Sequence, residues 1–193
     1  MIELVEAAEE IQSFCDARAW RFCFIGGLAV LHWGEIRATR DVDLTLLTGF
    51  GAEEQFILEL VARFQPRLPD AVEFALQRRV LLLQTKRGFG LDIALGALPF
   101  EESAVARAKE IEMTPGHSLR LCSPEDLIVF KAFAARPIDW QDVRATIIRQ
   151  GSAKLDWAYI KHHLVPLVEV KGQPEILVQL EQLRLGLKSN SHA

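Results

Sequence analysis

The stretch Phe24-Ile25-Gly26-Gly27-Leu28-Ala29-Val30, followed by Arg37-Ala38-Thr39-Arg40-Asp41-Val42-Asp43-Leu44-Thr45-Leu46-Leu47, decides how this chain folds. Residues 22–25 are apolar or aromatic and read as a strand. The glycine pair lets the backbone turn sharply, and residues 28–33 continue as a helix whose first N–H groups face the turn without intrahelical partners. Free donors at such a helix start form a phosphate cradle. Asp41 and Asp43 lie two apart at the head of an apolar run, so on a strand both carboxylates project from one face while Val42 and Leu44 pack on the other. Residues i and i+2 of a strand are about 6.6 Å apart, and paired catalytic magnesium ions sit roughly 3.5–4 Å apart with carboxylate bonds of about 2.0–2.1 Å. Two such carboxylates can lean onto one metal pair. An isolated Asp-x-Asp is more often a solvated strand face or a turn cap. The acids and the cradle together point to metal-dependent phosphate chemistry.

Gly26-Gly27, a thirteen-residue gap and then Asp41-Val42-Asp43-Leu44 resemble the signature of the DNA polymerase β-like nucleotidyltransferases. Within that superfamily, Gly26-Gly27-Leu28-Ala29 with Arg37-x-Thr39-x-Asp41-x-Asp43 is similar to small bacterial nucleotidyltransferases that include the abortive-infection toxin group and some antibiotic nucleotidyltransferases. The likeness continues through Ser123-Pro124-Glu125-Asp126-Leu127-Ile128, Lys131, Arg136, Asp139 and Asp142, which resemble the helical segment following the catalytic sheet. It spans about residues 20–150.

The resemblance implies an α+β (mixed α/β) fold, with a nucleotidyltransferase-type mixed sheet flanked by helices and a C-terminal helical segment. Residues 1–122 are then the catalytic domain, and residues 123–193 a helical region packed on it. It also implies transfer of a nucleoside monophosphate from a nucleoside triphosphate to a hydroxyl acceptor, with release of pyrophosphate. Two Mg2+ ions, or Mn2+, would be held by Asp41, Asp43 and Asp92, which are also the catalytic acids. Gly26, Gly27, Arg37, Arg40 and Lys131 would bind the nucleotide. The acceptor stays open between a small molecule such as an antibiotic, a transfer RNA end and a protein side chain; an antitoxin-like protein partner also fits the resemblance.

Asp92 interrupts an apolar strand between Leu91 and Ile93, where a charge is costly unless paired or bound to metal. An edge-strand residue facing water is the plain alternative. In the nucleotidyltransferase families a third acid follows Asp-x-Asp on a later strand, and Asp92 is the matching position; Asp70 and Glu73 are the fallback. The same resemblance makes Asp92 the proton acceptor.

Two other readings compete. Asp41-Val42-Asp43-Leu44-Thr45 also fits the Asp-x-Asp-x-Thr motif of haloacid-dehalogenase-like phosphatases. There the nucleophile closes a buried strand, whereas here Arg37-Ala38-Thr39-Arg40 precede the acids and the apolar run follows. The other is a toxin-antitoxin component acting through nucleotidylation or partner binding. The dehydrogenase Gly-x-Gly-x-x-Gly and the Gly-x-x-x-x-Gly-Lys phosphate loop are both missing from the sequence.

At 193 residues and 50% apolar, the chain can bury a core without disulfides or metal staples. Cys15, Cys23 and Cys122 have no Cys-x-x-Cys spacing and read as reduced core residues. No run approaches the roughly 18 apolar residues that span a bilayer, and the acidic start is unlike a signal peptide, so the expectation is a cytoplasmic protein without a membrane segment. The net charge of −4 argues against broad binding to a nucleic-acid backbone and favours a small nucleotide substrate.

Apolar periodicity predicts helices over residues 3–18 and 53–64, the second ended by Pro66 and Pro69. Strands are expected over 20–25, 73–76, 79–85 and 89–95, the last two joined through Lys86, Arg87 and Gly88, with extended segments over 112–115 and 119–122. A crossover begins at 99–107. Ser123 is an N-cap with Glu125 and Asp126 countering the helix dipole, and helices follow over 125–135, 139–150, 156–164 and 173–187 before six polar residues expected to fray. His32, His162, His163 and the four tryptophans carry no assigned chemistry.

Overall fold

A computed structural model describes residues 1–189. They form two compact units: Met1–Leu28 with Ala38–Cys122, and Ala29–Arg37 with the chain from Ser123 onward. The short stretch Ala29–Arg37, which the sequence reading grouped with the catalytic region, is thus counted with the helices.

The first unit is built on a seven-stranded mixed sheet in the order β3-β4-β5-β2-β1-β7-β6. Its strands are β1 (Phe22–Phe24), β2 (Asp41–Leu47), β3 (Gln65–Pro66), β4 (Val80–Gln84), β5 (Gly90–Gly96), β6 (Lys109–Thr114) and β7 (His117–Leu121). β2 runs antiparallel to β1 and parallel to β5, and β4 pairs antiparallel with β5. Alternation divides the central strands: Val42, Leu44, Leu46, Leu81, Leu83, Leu91 and Ile93 are fully buried on one face. Asp41, Asp43 and Asp92 take the other parity.

Helix α1 (Ile2–Asp16) buries Leu4, Val5, Ala8, Ile11 and Cys15 as an apolar stripe. Its Phe14 meets Trp20 edge-on at 5.7 Å and Phe64 at 5.5 Å, and Trp20 lies 4.7 Å from Phe56 of α3 (Glu53–Arg63). Trp20 is a packing residue. Burial pushes the Cys15 thiol up to about 12, helped by neighbouring Asp16, which leaves it protonated and inert.

Residues 73–76 are not a strand. They lie in helix α4 (Ala71–Arg78), which buries Ala71 and Ala75 one turn apart and closes at Arg79 with φ 55°. The Arg79 guanidinium donates to the Leu95 carbonyl at 3.0 Å, holding that left-handed turn against β5. Residues 99–107 form α5 (Pro99–Arg107), whose Glu101 accepts from the Thr45 hydroxyl at 3.3 Å and so covers the C-terminal half of β2 on the acid-bearing face.

The second unit contains α6 (Pro124–Ala134), α7 (Pro137–Gln150), α8 (Trp157–Lys171) and α9 (Glu175–Ser189). Ser123 caps α6, its hydroxyl accepting from the Asp126 amide at 3.2 Å, and the Tyr159 hydroxyl donates to the buried Asp126 carboxylate at 2.6 Å. The helix expected over 156–164 runs on through Pro166 to Lys171. Ile160, Leu164 and Val168 are buried at four-residue spacing on both sides of the proline, and that stripe offsets the local cost of about 3 kcal/mol. The fraying expected at the C-terminus falls largely outside the described residues. No helix among the described residues is long and apolar enough to cross a membrane.

Candidate active site

Helix α2 (Gly26–Trp33) begins at the glycine turn itself, two residues before the sequence suggests. Gly26 sits at φ +56°, and a Cβ there would lie 2.1 Å from Asp43 Oδ2 and 2.6 Å from Asp43 Cβ. Both the backbone and the carboxylate therefore require glycine. A Cβ on Gly27 would lie 2.5 Å from the Thr39 hydroxyl oxygen. With nothing between them, the Gly27 N–H donates to Asp43 Oδ2 at 3.1 Å, so the carboxylate occupies a free donor of the helix start.

Register assembles the acids. In the parallel β2/β5 pair Asp43 stands opposite Asp92, and Asp41 opposite Gly90. In-register neighbours point to the same side of a sheet, with strands about 4.7–4.9 Å apart. Asp41, Asp43 and Asp92 thus share one face, outside the part of β2 that Glu101 covers. β5 lies between β2 and β4, which excludes the edge-strand alternative for Asp92.

The acids have two counterparts. Asp43 takes the Gly27 amide, Asp92 pairs with the Arg67 guanidinium, and Asp41 lies 3.9 Å from the same guanidinium. Burial raises the Asp92 carboxyl above the ordinary aspartate range; Arg67 opposes this and Asp41 adds to it. Arg67 and Gly90 are the residues that sequence reasoning missed. Gly90 makes room for the cluster, because a Cβ there would lie 2.1 Å from Asp41 Oδ1 and 3.1 Å from Arg67 Nη1.

The other expected nucleotide contacts have other company. Arg40 is exposed. Arg37 donates to both oxygens of Asp142, at 2.9 and 3.1 Å. Lys131 is buried between Asp142 at 2.8 Å and Asp139 at 3.1 Å, and Arg136 reaches Asp139 at 2.6 Å. Burial works to raise the Asp139 carboxyl, but hydrogen bonds from Arg136 and Lys131 outweigh it and hold the group below its usual range. Arg37 and Lys131 are thus joined through Asp142 within the helical unit. Of the fallback acids, Asp70 is the N-cap residue of α4 and Glu73 bonds Gln77 at 3.0 Å.

Residues 1–171 match the family described as "Nucleotidyltransferase of unknown function (DUF6036)". The chain belongs to that family. Among solved structures, an antigenic nucleotidyltransferase-like protein from Paracoccidioides brasiliensis is 16% identical with a TM-score of 0.55, over 93% of this chain and 92% of that one. The antibiotic-resistance factor ANT(2'')-Ia, in its solution structure, is 18% identical with a TM-score of 0.51, over 97% and 92%. These likenesses extend to the fold, an α+β architecture around a mixed sheet. No curated protein matches the chain in sequence. The phosphatase reading falls with the family assignment, and also because Asp41 opens β2 rather than closing it.

As donors, three carboxylates on one sheet face suit a hard divalent cation such as Mg2+ or Mn2+. Among the described residues, however, no group of three His, Cys, Asp or Glu side chains is gathered to hold an ion. Asp43 is bonded to the Gly27 amide, and Asp92 and Asp41 face the Arg67 guanidinium.

Proposed function

We propose that this nucleotidyltransferase moves a nucleoside monophosphate from a nucleoside triphosphate to a hydroxyl acceptor, using Asp41, Asp43 and Asp92 as the acids that hold divalent cations. The observation that carries the reading is the register match of Asp43 with Asp92 beside the Gly26-Gly27 turn. A bound cation would supply charge neutralisation for the triphosphate and acidify the acceptor hydroxyl. The Gly27 amide, released from Asp43, donates to a phosphate oxygen at the helix start. Arg40, exposed just before the acids, is available to the triphosphate. Asp92 accepts the proton as the acceptor oxygen attacks the α-phosphorus; the bond from the α-phosphorus to the bridging oxygen breaks and pyrophosphate leaves. The acceptor class is a small molecule, a transfer RNA end or a protein side chain.

Calorimetry of ATP, GTP, CTP and UTP with and without Mg2+ tests the reading. At least one nucleotide binds appreciably only with the cation; tight binding unaffected by a chelator contradicts it.

Asp92→Asn lowers kcat by at least about 10²-fold, the usual loss with a general base, and weakens nucleotide binding less than a change at Asp43 does. A base must be ionised to accept a proton, so wild-type activity is lost as pH falls through the Asp92 pKa. Burial raises that carboxyl in the metal-free protein and a bound cation would lower it, and Asp92→Asn removes the acid limb in either case. A variant with normal turnover and an unchanged pH profile takes Asp92 out of the mechanism.

A further inference from the structure

Arg67 follows Pro66 at the end of the edge strand β3, and its backbone N–H donates to the Leu82 carbonyl at 3.0 Å. Leu82 stands opposite Asp92, and Asp92 opposite Asp43. These pairings put Leu82, Asp92 and Asp43 in one row across β4, β5 and β2, with Arg67, just past β3, bonded to its outer end. The Arg67 guanidinium reaches Asp92, with Nη1 3.9 Å from Asp41 Oδ1. Its side chain is only 30% exposed, and its ion-pair partners among the described residues are these two acids. Gly90 provides the space in which Asp41 and Arg67 approach each other.

We propose that Arg67 is a resident counter-ion of the active site, competing with divalent cations for Asp41 and Asp92 and so setting the cation concentration at which the site loads. The proposal rests on the cation-binding reading above. Two neighbouring carboxylates on one face repel each other, and one guanidinium shared between them relieves that repulsion while no metal is bound. A cation entering the cluster must therefore break the Arg67 contacts, and its apparent affinity is lowered by what those contacts are worth. Charged hydrogen bonds of this kind, partly exposed, translate into about a tenfold effect on affinity.

The experiment titrates the nucleotide-free protein with Mn2+, following free Mn2+ by electron paramagnetic resonance, for wild type and Arg67→Gln. The Gln variant binds Mn2+ about tenfold more tightly, and its metal-free melting temperature falls and recovers as Mn2+ is added. In parallel, wild-type protein is treated with phenylglyoxal with and without Mn2+, and labelling is read at Arg67 by mass spectrometry; Mn2+ accelerates it because the side chain is driven off the acids. This second readout needs no variant to fold. Equal or weaker Mn2+ binding by Arg67→Gln, or Arg67 labelling that Mn2+ leaves unchanged or slows, overturns the proposal. If wild type and variant bind Mn2+ alike, the cation reading survives and the Arg67 role fails. If neither binds it, both fail together.

Discussion

Asp43→Asn is expected to reduce Mg2+-dependent nucleotidyl transfer by about 10³-fold or more, the loss that follows when several kcal/mol of charge stabilisation in the transition state disappear. An amide keeps the shape of the carboxylate and can still accept the Gly27 N–H, so α2 keeps its start. Two smaller effects oppose each other in the metal-free protein. The bond to Gly27 loses its charge assistance, and the repulsion from Asp92 across the β2/β5 pair is relieved. Metal-free thermal stability therefore holds or rises slightly. Measuring label transfer beside a melting curve separates the outcomes: an unfolded variant makes Asp43 structural, and a fully active one removes it from the site.

Lys131→Met has the largest expected effect on stability. Lys131 is 8% exposed at its side chain and lies between Asp139 and Asp142, whose side chains are 0% and 3% exposed. Removing the ammonium leaves two buried carboxylates with Arg136 and Arg37 as their remaining partners, and breaking a buried pair from one side costs about 3 kcal/mol. For a chain of this size that is a fall of roughly 6–12 °C in melting temperature. A nucleotide contact as Lys131's principal role instead gives weaker nucleotide binding at an unchanged melting temperature. The network is also pH-sensitive. The Asp139 carboxyl is held below its unfolded value, so its stabilisation is full above the unfolded pKa and lost as pH falls through the folded one.

Local chemistry made much of the fold readable. The glycine turn, the Asp-x-Asp strand and the Ser123 cap act over a few residues; the strand and the cap form where the sequence places them, and the helix at the glycine turn starts two residues early. Residues 73–76 misled because a short run with Val72, Phe74 and Leu76 alternates like a strand, while the burial of Ala71 and Ala75 that makes it helical depends on distant packing. The helix expected over 156–164 departs in the opposite direction, running on through Pro166, a local breaker overridden by a buried stripe. At the site, Asp92 could be singled out as a charge within an apolar strand, but its match to Asp43 is a matter of register between strands distant in sequence. Arg67 gave no local sign at all, since only the pairing of β3, β4 and β5 carries it to Asp92. The joining of Arg37 and Lys131 likewise depends on Asp142, which lies 105 residues from Arg37 in sequence.

Transfer of the α-phosphate is the step on which everything here depends. Nucleoside triphosphates labelled at the α- or the γ-phosphate are incubated in a cell extract with wild-type protein or Asp43→Asn, with and without Mg2+, and the labelled molecule is sought. Label from the α position becomes attached to an acceptor only with wild-type protein and Mg2+, and label from the γ position leaves as pyrophosphate. Attachment of the γ label, α transfer that is equal with Asp43→Asn, or no transfer from any of the four nucleotides would contradict nucleotidyl transfer at Asp41, Asp43 and Asp92.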